Sequence, residues 1–225
     1  MCGIIGYIGN KNPKDVLIDG LKNLEYRGYD SSGIALKNSN EIEIIRSVGK
    51  IYNLEEKINK EELINSNMGI AHTRWATHGS PTEENAHPHK VGNVTIVHNG
   101  IIENAEELRK ELINEGINFN SETDTEVIAV LINKYYEDNE IDAIKKALRE
   151  LKGSYALGIL FSGNNKLYTT RKDSPLIVGI GKDENFIASD IAAIINYTNK
   201  YMLLEEGEIG IIDENEVVIT KVSSS

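Results

Sequence analysis

Short apolar runs and longer amphipathic segments follow one another along this chain in a definite order. Up to about residue 100, apolar runs are separated by polar loops, which predicts strands with helices between them. Between residues 101 and 153 the apolar positions recur every three or four residues, which predicts helices. Short apolar runs then return. Strands, helices and strands in this order indicate an α+β layered fold with antiparallel sheets rather than alternating parallel units.

Capping and turn residues bound the predicted elements. Asn12 can cap a first helix with Pro13 at its first position, and a capping box from Thr123 to Glu126 opens a later helix. Further helices are predicted over 49–58, 101–116 and 141–151. The predicted strands are 3–8, 33–36, 42–48, 68–74, 94–98, 155–161, 167–171, 176–179, 185–188, 201–204, 208–212 and 217–221.

The segment 75–90 interrupts this pattern. It is rich in Gly, Pro, Thr and His, and a compact fold keeps a loop of this length mainly for function. We therefore expect a substrate-binding flap.

Composition narrows the class of protein. With 225 residues, of which 40% are hydrophobic, the chain can bury a substantial core. Its net charge of −11 disfavours a nucleic acid or an anionic membrane as partner. A single cysteine excludes an intrachain disulfide and zinc sites with several cysteines. We find neither a secretory signal nor a membrane-spanning segment, so a cytoplasmic location is expected.

That single cysteine, Cys2, directly follows Met1. Removal of Met1 would give one residue both a thiol and a free α-amine, which is a nucleophile with its own base. Gly3 keeps the neighbouring space open. The alternative is a small buried hydrophobic residue at the start of a core strand.

All five histidines, His72, His78, His87, His89 and His98, fall within one window of the sequence. This suggests a metal site, but a His-Glu-x-x-His motif and cysteine partners are missing. We expect no metal and no cofactor; the histidines would instead line a polar cleft or bind loop backbone.

Three further places in the chain carry residues with candidate binding or catalytic roles. Arg74 ends a strand beside Trp75 and could grip a carboxylate, or could form a surface salt bridge. Asn99 and Gly100 could supply an oxyanion hole, although Asn-Gly is also a common turn. Asp124 at a helix start could bind an amine or simply compensate the helix dipole. Together with the thiol, these groups suit a zwitterionic substrate with an amide, such as glutamine.

Five motifs carry a family resemblance that runs over essentially the whole chain: CGIIGYIG from Cys2, YRGYDSSG from Tyr26, HTRWATHG from His72, HNGIIEN from His98 and SETDTE from Ser121. They closely resemble the glutaminase domains of glucosamine-6-phosphate synthases (glutamine:fructose-6-phosphate aminotransferases). These domains are class II glutamine amidotransferases with the N-terminal-nucleophile hydrolase fold. The resemblance implies four layers in the order αββα, with two stacked antiparallel sheets between helical layers, over residues 1–225.

The resemblance also implies roles for particular residues. Cys2 would be the nucleophile, with its α-amine as the base and Arg27 as a support of the catalytic terminus. The oxyanion hole would consist of Asn99 and Gly100. The substrate α-carboxylate would be held by Arg74, Thr77 and His78, the α-ammonium by Asp124, and Trp75 would belong to the closing flap. Glutamine would be hydrolysed to glutamate and ammonia through a γ-glutamyl thioester.

In that family, sugar-isomerising domains follow this domain and use the ammonia. They are not in this sequence, so we expect an excised piece or a stand-alone homologue that releases ammonia without making an amino sugar. A homodimer is a further expectation. Two alternatives remain: the glutaminase domain of another amidotransferase, such as amidophosphoribosyltransferase, and a non-catalytic glutamine-sensing module.

Overall fold

The computed structural model describes residues 2–222, and within this range the chain forms four layers. Two antiparallel sheets stack face to face, and helices cover the outer face of each sheet. This confirms the predicted α+β fold with the layer order αββα. Met1, whose removal the sequence suggests, lies outside the described residues.

The first sheet has β1 (Gly3–Gly9) near its centre. Ile4 and Ile8 of β1 face the second sheet, whereas Ile5 and Tyr7 face the outer helices, so both faces of the strand are buried. This explains the nearly continuous apolar run. The other strands are β2 (Ser31–Lys37), β3 (Ile42–Val48), β4 (Met68–Arg74), β9 (Ile177–Ile180), β10 (Glu184–Ala188) and β11 (Tyr201–Leu203), in the order β11-β9-β10-β1-β4-β2-β3.

The second sheet consists of β5 (His89–Val91), β6 (Val94–Asn99), β7 (Tyr155–Phe161), β8 (Leu167–Lys172), β12 (Glu208–Ile212) and β13 (Val217–Lys221). Its order is β13-β12-β8-β7-β6-β5, and all of these pairings are antiparallel. Val97, Ala156 and Leu160 project from its inner face into the core between the sheets.

The helices divide between the two outer faces. Helices α1 (Pro13–Asn23) and α2 (Ile51–Asn59) pack on the first sheet. Helices α3 (Ala105–Asn114), α4 (Asp124–Tyr135) and α5 (Glu140–Glu150) pack on the second. None of the helices between residues 2 and 222 has the length and apolar composition needed to cross a membrane.

Capping explains where the helices begin. The side chain of Asn12 accepts a hydrogen bond from the backbone N–H of Lys14, as expected for the start of α1. The side chain of Thr123 accepts one from the N–H of Glu126 at the start of α4. The Glu126 carboxylate binds the N–H groups of Asn120 and Ser121 instead of that of Thr123. Only the Thr123 half of the predicted capping box is therefore formed, and the N–H of Thr123 donates to Ser121 Oγ instead.

Two predicted boundaries are wrong. Helix α3 begins at Ala105, and Ile101 lies before it with 46% of its surface exposed. The backbone at Ile101 instead pairs with Ser154, because the chain here crosses from β6 to the start of the helical layer. The predicted flap 75–90 also ends early, since His89 opens β5 and pairs with Ile96.

The topology brings three strand ends together. The start of β1 lies beside the end of β4, with Gly3 opposite Thr73. The end of β6 approaches the same point from the second sheet, where the Asn99 amide reaches the carbonyl oxygen of Cys2. Helix α4 begins nearby at Asp124, whose carboxylate accepts a hydrogen bond from the N–H of Ile102. Several of the predicted site residues therefore lie at one end of the sheet pair.

Candidate active site

The Cys2 thiol lies at the mouth of this end of the sheet pair. Its Sγ accepts a hydrogen bond from the Trp75 N–H at 3.3 Å and lies 3.7 Å from the Trp75 carbonyl oxygen. Burial raises the pKa of the thiol, and the hydrogen bond from Trp75 opposes that shift by favouring the thiolate. The side chain is only partly covered, so a substrate can reach it.

Asn99 at the end of β6 is oriented from two sides. Its Nδ2 donates to the Cys2 carbonyl oxygen at 3.1 Å, and its Oδ1 lies 3.0 Å from Nε2 of His72. Gly100 follows with φ +123°, a conformation that side chains rarely tolerate. A Cβ added to Gly100 would lie 2.3 Å from the Ser154 carbonyl oxygen, so this backbone requires glycine.

The Arg74 guanidinium at the end of β4 is buried and holds the loop that follows it. Its Nη1 donates to the Ser80 carbonyl oxygen at 3.1 Å, and its Nη2 donates to the carbonyl oxygens of His78 and Gly79. Burial lowers the pKa of Arg74, and the negative charge of Asp30 opposes that shift. A guanidinium stays protonated in proteins, so a cation remains buried beside the thiol.

Asp124 opens α4, and the two oxygens of its carboxylate lie in different surroundings. Oδ2 accepts from the Ile102 N–H at 2.9 Å, and Oδ1 lies 3.9 Å from Nδ1 of His98. The residue is 7% exposed and lines the cavity that also contains the Cys2 thiol. It is therefore a buried negative charge facing a small polar space.

Two cavities meet at Cys2. The larger, of about 320 Å³, is lined by Cys2, Arg27, Trp75, Thr77, Asn99, Gly100, Ile101, Ser174 and Pro175. The smaller, of about 20 Å³, is lined by Cys2, Arg74, Trp75, Thr77, His78, His87, His98, Gly100, Thr123, Asp124 and Thr125. The smaller cavity has room for about one water molecule. Its walls must therefore separate before an amino acid can enter.

Arg27 lies on the far side of the larger cavity. Its Nη1 is 3.5 Å from Ser189 Oγ and 3.9 Å from Asp190 Oδ2. Ser189 Oγ in turn accepts a hydrogen bond from the Ile4 N–H at 2.9 Å. Arg27 thus contacts Ser189, which in turn binds the backbone at the start of β1.

The loop between β4 and β5 covers the site and is attached at several points. The Ala76 N–H donates to Asp30 Oδ2 at 2.8 Å. The buried Asn85 side chain donates to the Ser80 carbonyl oxygen and to Glu122, and it accepts from the Glu122 N–H. The Trp75 indole is 52% exposed and lies over Gly28. The loop is therefore held at its base, while its aromatic side chain remains partly in solvent.

Four of the histidines form a buried layer behind the thiol. The rings of His72 and His87 stack with centroids 3.9 Å apart, and His87 contacts His89 at 5.0 Å. Thr125 Oγ1 lies between His87 Nε2 and His98 Nδ1. Burial lowers the pKa of His72 and of His89 to about 3, and it lowers the pKa of His87 and His98 as well. These rings are therefore neutral near pH 7.

Several of their ring nitrogens bind protein groups, although His72 Nδ1 has no hydrogen-bond partner among the described residues. Among residues 2–222, no group of three or more His, Cys, Asp and Glu side chains has the arrangement needed to hold a metal ion. His89 Nε2, for example, pairs with Thr123 Oγ1 at 3.0 Å.

Sequence reasoning named nine site residues, and all of them line the two cavities at Cys2. It missed Ser174 and Pro175, which come from a distant part of the chain and reach the larger cavity only through the fold. Sequence reasoning assigned no site role to Thr123, Thr125 or His72, although all three lie within the motifs that carry the family resemblance. The available signal was their position in the sequence: His72 lies two residues before Arg74 in one strand, and the two threonines lie directly beside Asp124.

A thiol, an amide donor, a buried cation and a buried anion line two adjoining cavities, and these are the groups that the sequence motifs associate with a glutamine site. Residues 72–196 match the family model of the glutamine amidotransferase domain. This match covers more than half of the described chain, and the chain belongs to the class II glutamine amidotransferase domain family. The fold is accordingly that of the N-terminal-nucleophile hydrolases, as the motifs predicted.

Particular relatives narrow the comparison. The chain is 49% identical over 220 residues to glutamine–fructose-6-phosphate aminotransferase [isomerizing] of Clostridium tetani, covering 96% of this chain and 36% of the relative. It is 52% identical over 227 residues to the protein of that name from Pyrococcus horikoshii, covering 99% and 38%. The chain thus spans a little over a third of the length of these curated relatives.

A solved structure supports the same fold. The glutamine phosphoribosylpyrophosphate amidotransferase of B. subtilis, complexed with ADP and GMP, superimposes with a TM-score of 0.85 at 28% identity. The match covers 100% of this chain and 50% of that chain. The higher identity to the fructose-6-phosphate aminotransferases favours them over the amidophosphoribosyltransferase alternative.

Proposed function

We propose that this chain hydrolyses the side-chain amide of glutamine to glutamate and ammonia. The observation that carries the proposal is that Cys2 lines a cavity whose walls include Arg74 and Asp124, while the Asn99 amide binds the carbonyl oxygen of the same cysteine. Glutamine has a carboxylate and an ammonium group at one end and an amide at the other. A buried cation and a buried anion beside a thiol are complementary to that arrangement.

The substrate α-carboxylate would bind Arg74 with Thr77 and His78, and the α-ammonium would bind Asp124. In the present conformation the Arg74 guanidinium donates to loop carbonyl oxygens, and the cavity holds about 20 Å³. Substrate binding therefore requires the loop to move and the carboxylate to replace some of these acceptors. Such a motion would close Trp75 over the bound amino acid and exclude water.

The reaction follows from thiol chemistry. With Met1 removed, the α-amine of Cys2 takes the thiol proton, and the sulfur attacks the amide carbon of glutamine. The oxyanion accepts hydrogen bonds from Asn99 Nδ2 and the Gly100 N–H. The ammonium then returns a proton to the leaving nitrogen, ammonia departs, and a thioester remains. Water, deprotonated by the same amine, attacks the thioester and releases glutamate and the thiol.

Arg27 would support the catalytic terminus in this scheme. It contacts Ser189, which binds the Ile4 N–H, so its removal would loosen the backbone directly after Cys2. No metal or cofactor takes part in any of these steps.

We further propose that residues 1–225 act as one domain, and that its ammonia serves glucosamine 6-phosphate synthesis from fructose 6-phosphate in a longer polypeptide. The names of the relatives and their greater length support this acceptor and C-terminal sugar-isomerising domains as partners. A cytoplasmic location and a homodimer belong to the same proposal. No nucleic-acid or membrane partner is part of it.

Intact mass spectrometry combined with an ammonia assay tests the proposal. We expect a mass that lacks Met1 and release of ammonia from glutamine. A glutamine-mimicking alkylator should form one covalent adduct and abolish the activity. Cys2→Ala should lose both the adduct and the ammonia. Retained Met1 with tight glutamine binding and no turnover would contradict the proposal and indicate a glutamine sensor. Glucosamine 6-phosphate formation by this chain alone would contradict the requirement for further domains.

A further inference from the structure

His72 lies in the middle of β4, pointing between the two sheets, and is fully buried. It lines neither of the two cavities at Cys2 within the part of the chain that the structure describes. Its Nε2 lies 3.0 Å from the His98 carbonyl oxygen and 3.0 Å from Asn99 Oδ1. The proposed reaction does not use this histidine, although it touches the oxyanion-hole residue.

The contacts of Asn99 decide which way its amide points. The Cys2 carbonyl oxygen accepts hydrogen bonds only, so the amide group nearest to it must be the NH₂ group. The amide oxygen then points to His72. A flipped amide would place an oxygen against the Cys2 carbonyl oxygen and a donor against the ring N–H of His72, so both contacts would become repulsive.

The same reasoning fixes the proton on the His72 ring. Both neighbours of Nε2 are oxygens that can only accept, namely the His98 carbonyl oxygen and Asn99 Oδ1. Nε2 must therefore carry the hydrogen and share it between them. Nδ1 is buried without a hydrogen-bond partner among the described residues, so an N–H group at that position would have no acceptor.

Stacking on His87 holds the His72 ring in place. The His87 ring lies parallel to that of His72, 10° apart in plane, and its Nδ1 accepts from the His98 N–H at 3.3 Å. Burial lowers the pKa of His72 to about 3 and that of His87 further below its usual range, so two neutral rings stack without charge repulsion. The tautomer of His72 is therefore set by its surroundings before substrate arrives.

We propose that His72 is a positioning residue for amide hydrolysis: its Nε2–H fixes Asn99 Oδ1 so that the Asn99 NH₂ group faces the thiol. This inference rests on the proposed glutaminase function. The NH₂ group has two hydrogens, of which the Cys2 carbonyl oxygen takes one. The second remains for the oxyanion that forms when sulfur attacks the amide carbon.

Loss of the His72 donor should affect the transition state rather than substrate binding. The Asn99 amide would keep its hydrogen bond to the Cys2 carbonyl oxygen but lose the contact that holds its Oδ1, so its NH₂ group would be held less firmly. Complete loss of one oxyanion-hole donor lowers kcat by roughly 10²–10³-fold, which sets the scale of the effect. Among residues 2–222, no hydrogen bond joins His72 to Arg74 or Asp124, so the KM for glutamine should stay within about threefold.

Two variants separate positioning from packing. His72→Leu fills the space without a donor, and His72→Gln places an amide N–H near the position of Nε2. We expect kcat of the His72→Leu variant to fall about 10²-fold, and His72→Gln to recover at least about tenfold of that loss. Alkylation of Cys2 by iodoacetamide, which forms no oxyanion, should change by less than about twofold in either variant.

The possible results are distinct. Unchanged kcat in His72→Leu, equal losses in both variants, or an alkylation rate that falls in parallel with kcat would each overturn the positioning role. An inactive unsubstituted protein would instead contradict the proposed function itself. Long-range ¹H–¹⁵N NMR of the His72 ring gives an independent readout, since a protonated Nδ1 would contradict the inference even in an active protein.

Discussion

At the scale of single residues, the candidate site depends on positions where the backbone admits few side chains. Gly100 is the clearest case, because it combines φ +123° with a carbonyl oxygen of Ser154 where a Cβ would lie. The Asn-Gly pair is visible in the sequence, but a hairpin turn explains it equally well there. The close approach of Ser154, which comes from a different segment, separates the two interpretations in favour of a fixed backbone beside Cys2.

Gly100→Ala should lower both stability and activity. Left-handed strain and collision with Ser154 should cost about 3 kcal/mol or more, with a decrease in Tm of about 2–4 °C per kcal/mol. Gly116→Ala is the matched control, because Gly116 has φ +95° but nothing within 4 Å of the added Cβ. It should cost only about 1–2 kcal/mol and leave glutaminase activity unchanged. Calorimetry measures the stability of each variant, and ammonia release measures its activity. Equal effects of the two substitutions would contradict this account.

At the scale of elements, the loop between β4 and β5 is the part of the chain that we expect to move when substrate binds. The sequence predicted a flap from its length and composition, and that role remains a prediction. Asn85 attaches the loop to the start of α4 through Glu122, while the Arg74 guanidinium attaches its first turn. A substrate carboxylate that takes over Arg74 would therefore release one attachment and leave the other in place.

Asn85→Ala should loosen the loop without unfolding the sheets. The side chain makes three hydrogen bonds to Ser80 and Glu122, so residues 76–86 should exchange amide hydrogens faster and be cleaved more readily by proteases. We expect the KM for glutamine to rise about tenfold, since the loop must be ordered upon binding. Faster exchange spread over both sheets would show a global rather than local effect.

At the scale of the whole molecule, the histidine layer makes stability depend on pH. His72 and His89 have pKa values of about 3 in the folded protein because of burial, whereas an unfolded histidine titrates near ~6.5. Below about pH 6.5 the unfolded chain binds protons that the folded chain does not. The contribution of these two histidines to the folding stability is therefore fully present above that pH, and it is lost as the pH falls towards 3.

Urea denaturation at pH 5 and pH 7 measures this effect. Each such histidine contributes up to about 1.4 kcal/mol of lost stability per pH unit in that window. In His89→Gln the amide can still bond Thr123 Oγ1. We expect the free energy of unfolding of this variant to decrease less between pH 7 and pH 5, because one fewer side chain takes up a proton on unfolding. An identical decrease in the variant and the unsubstituted protein would contradict the assignment.

The sequence alone determined the order of the elements apart from β5, most of their bounds and the chemistry available. Asn12 and Pro13 mark the start of α1, and the apolar runs mark β4, β7 and β12, because capping and hydrophobic periodicity act over neighbouring residues. The motifs also named the residues around Cys2. The misplaced start of α3 at Ile101 shows the limit of such local signals, since a four-residue spacing of apolar residues does not exclude a crossing segment.

Only the tertiary structure decided which residues meet and in what state. The approach of Ser154 to Gly100, the arrival of Ser174 at the larger cavity and the contact between His72 and Asn99 all join distant segments. The depressed pKa values of the histidines likewise depend on burial between the sheets. The distances between these side chains, their burial and the directions of their hydrogen bonds depend on how strands from two sheets pack together. The residue pattern along one strand does not predict them.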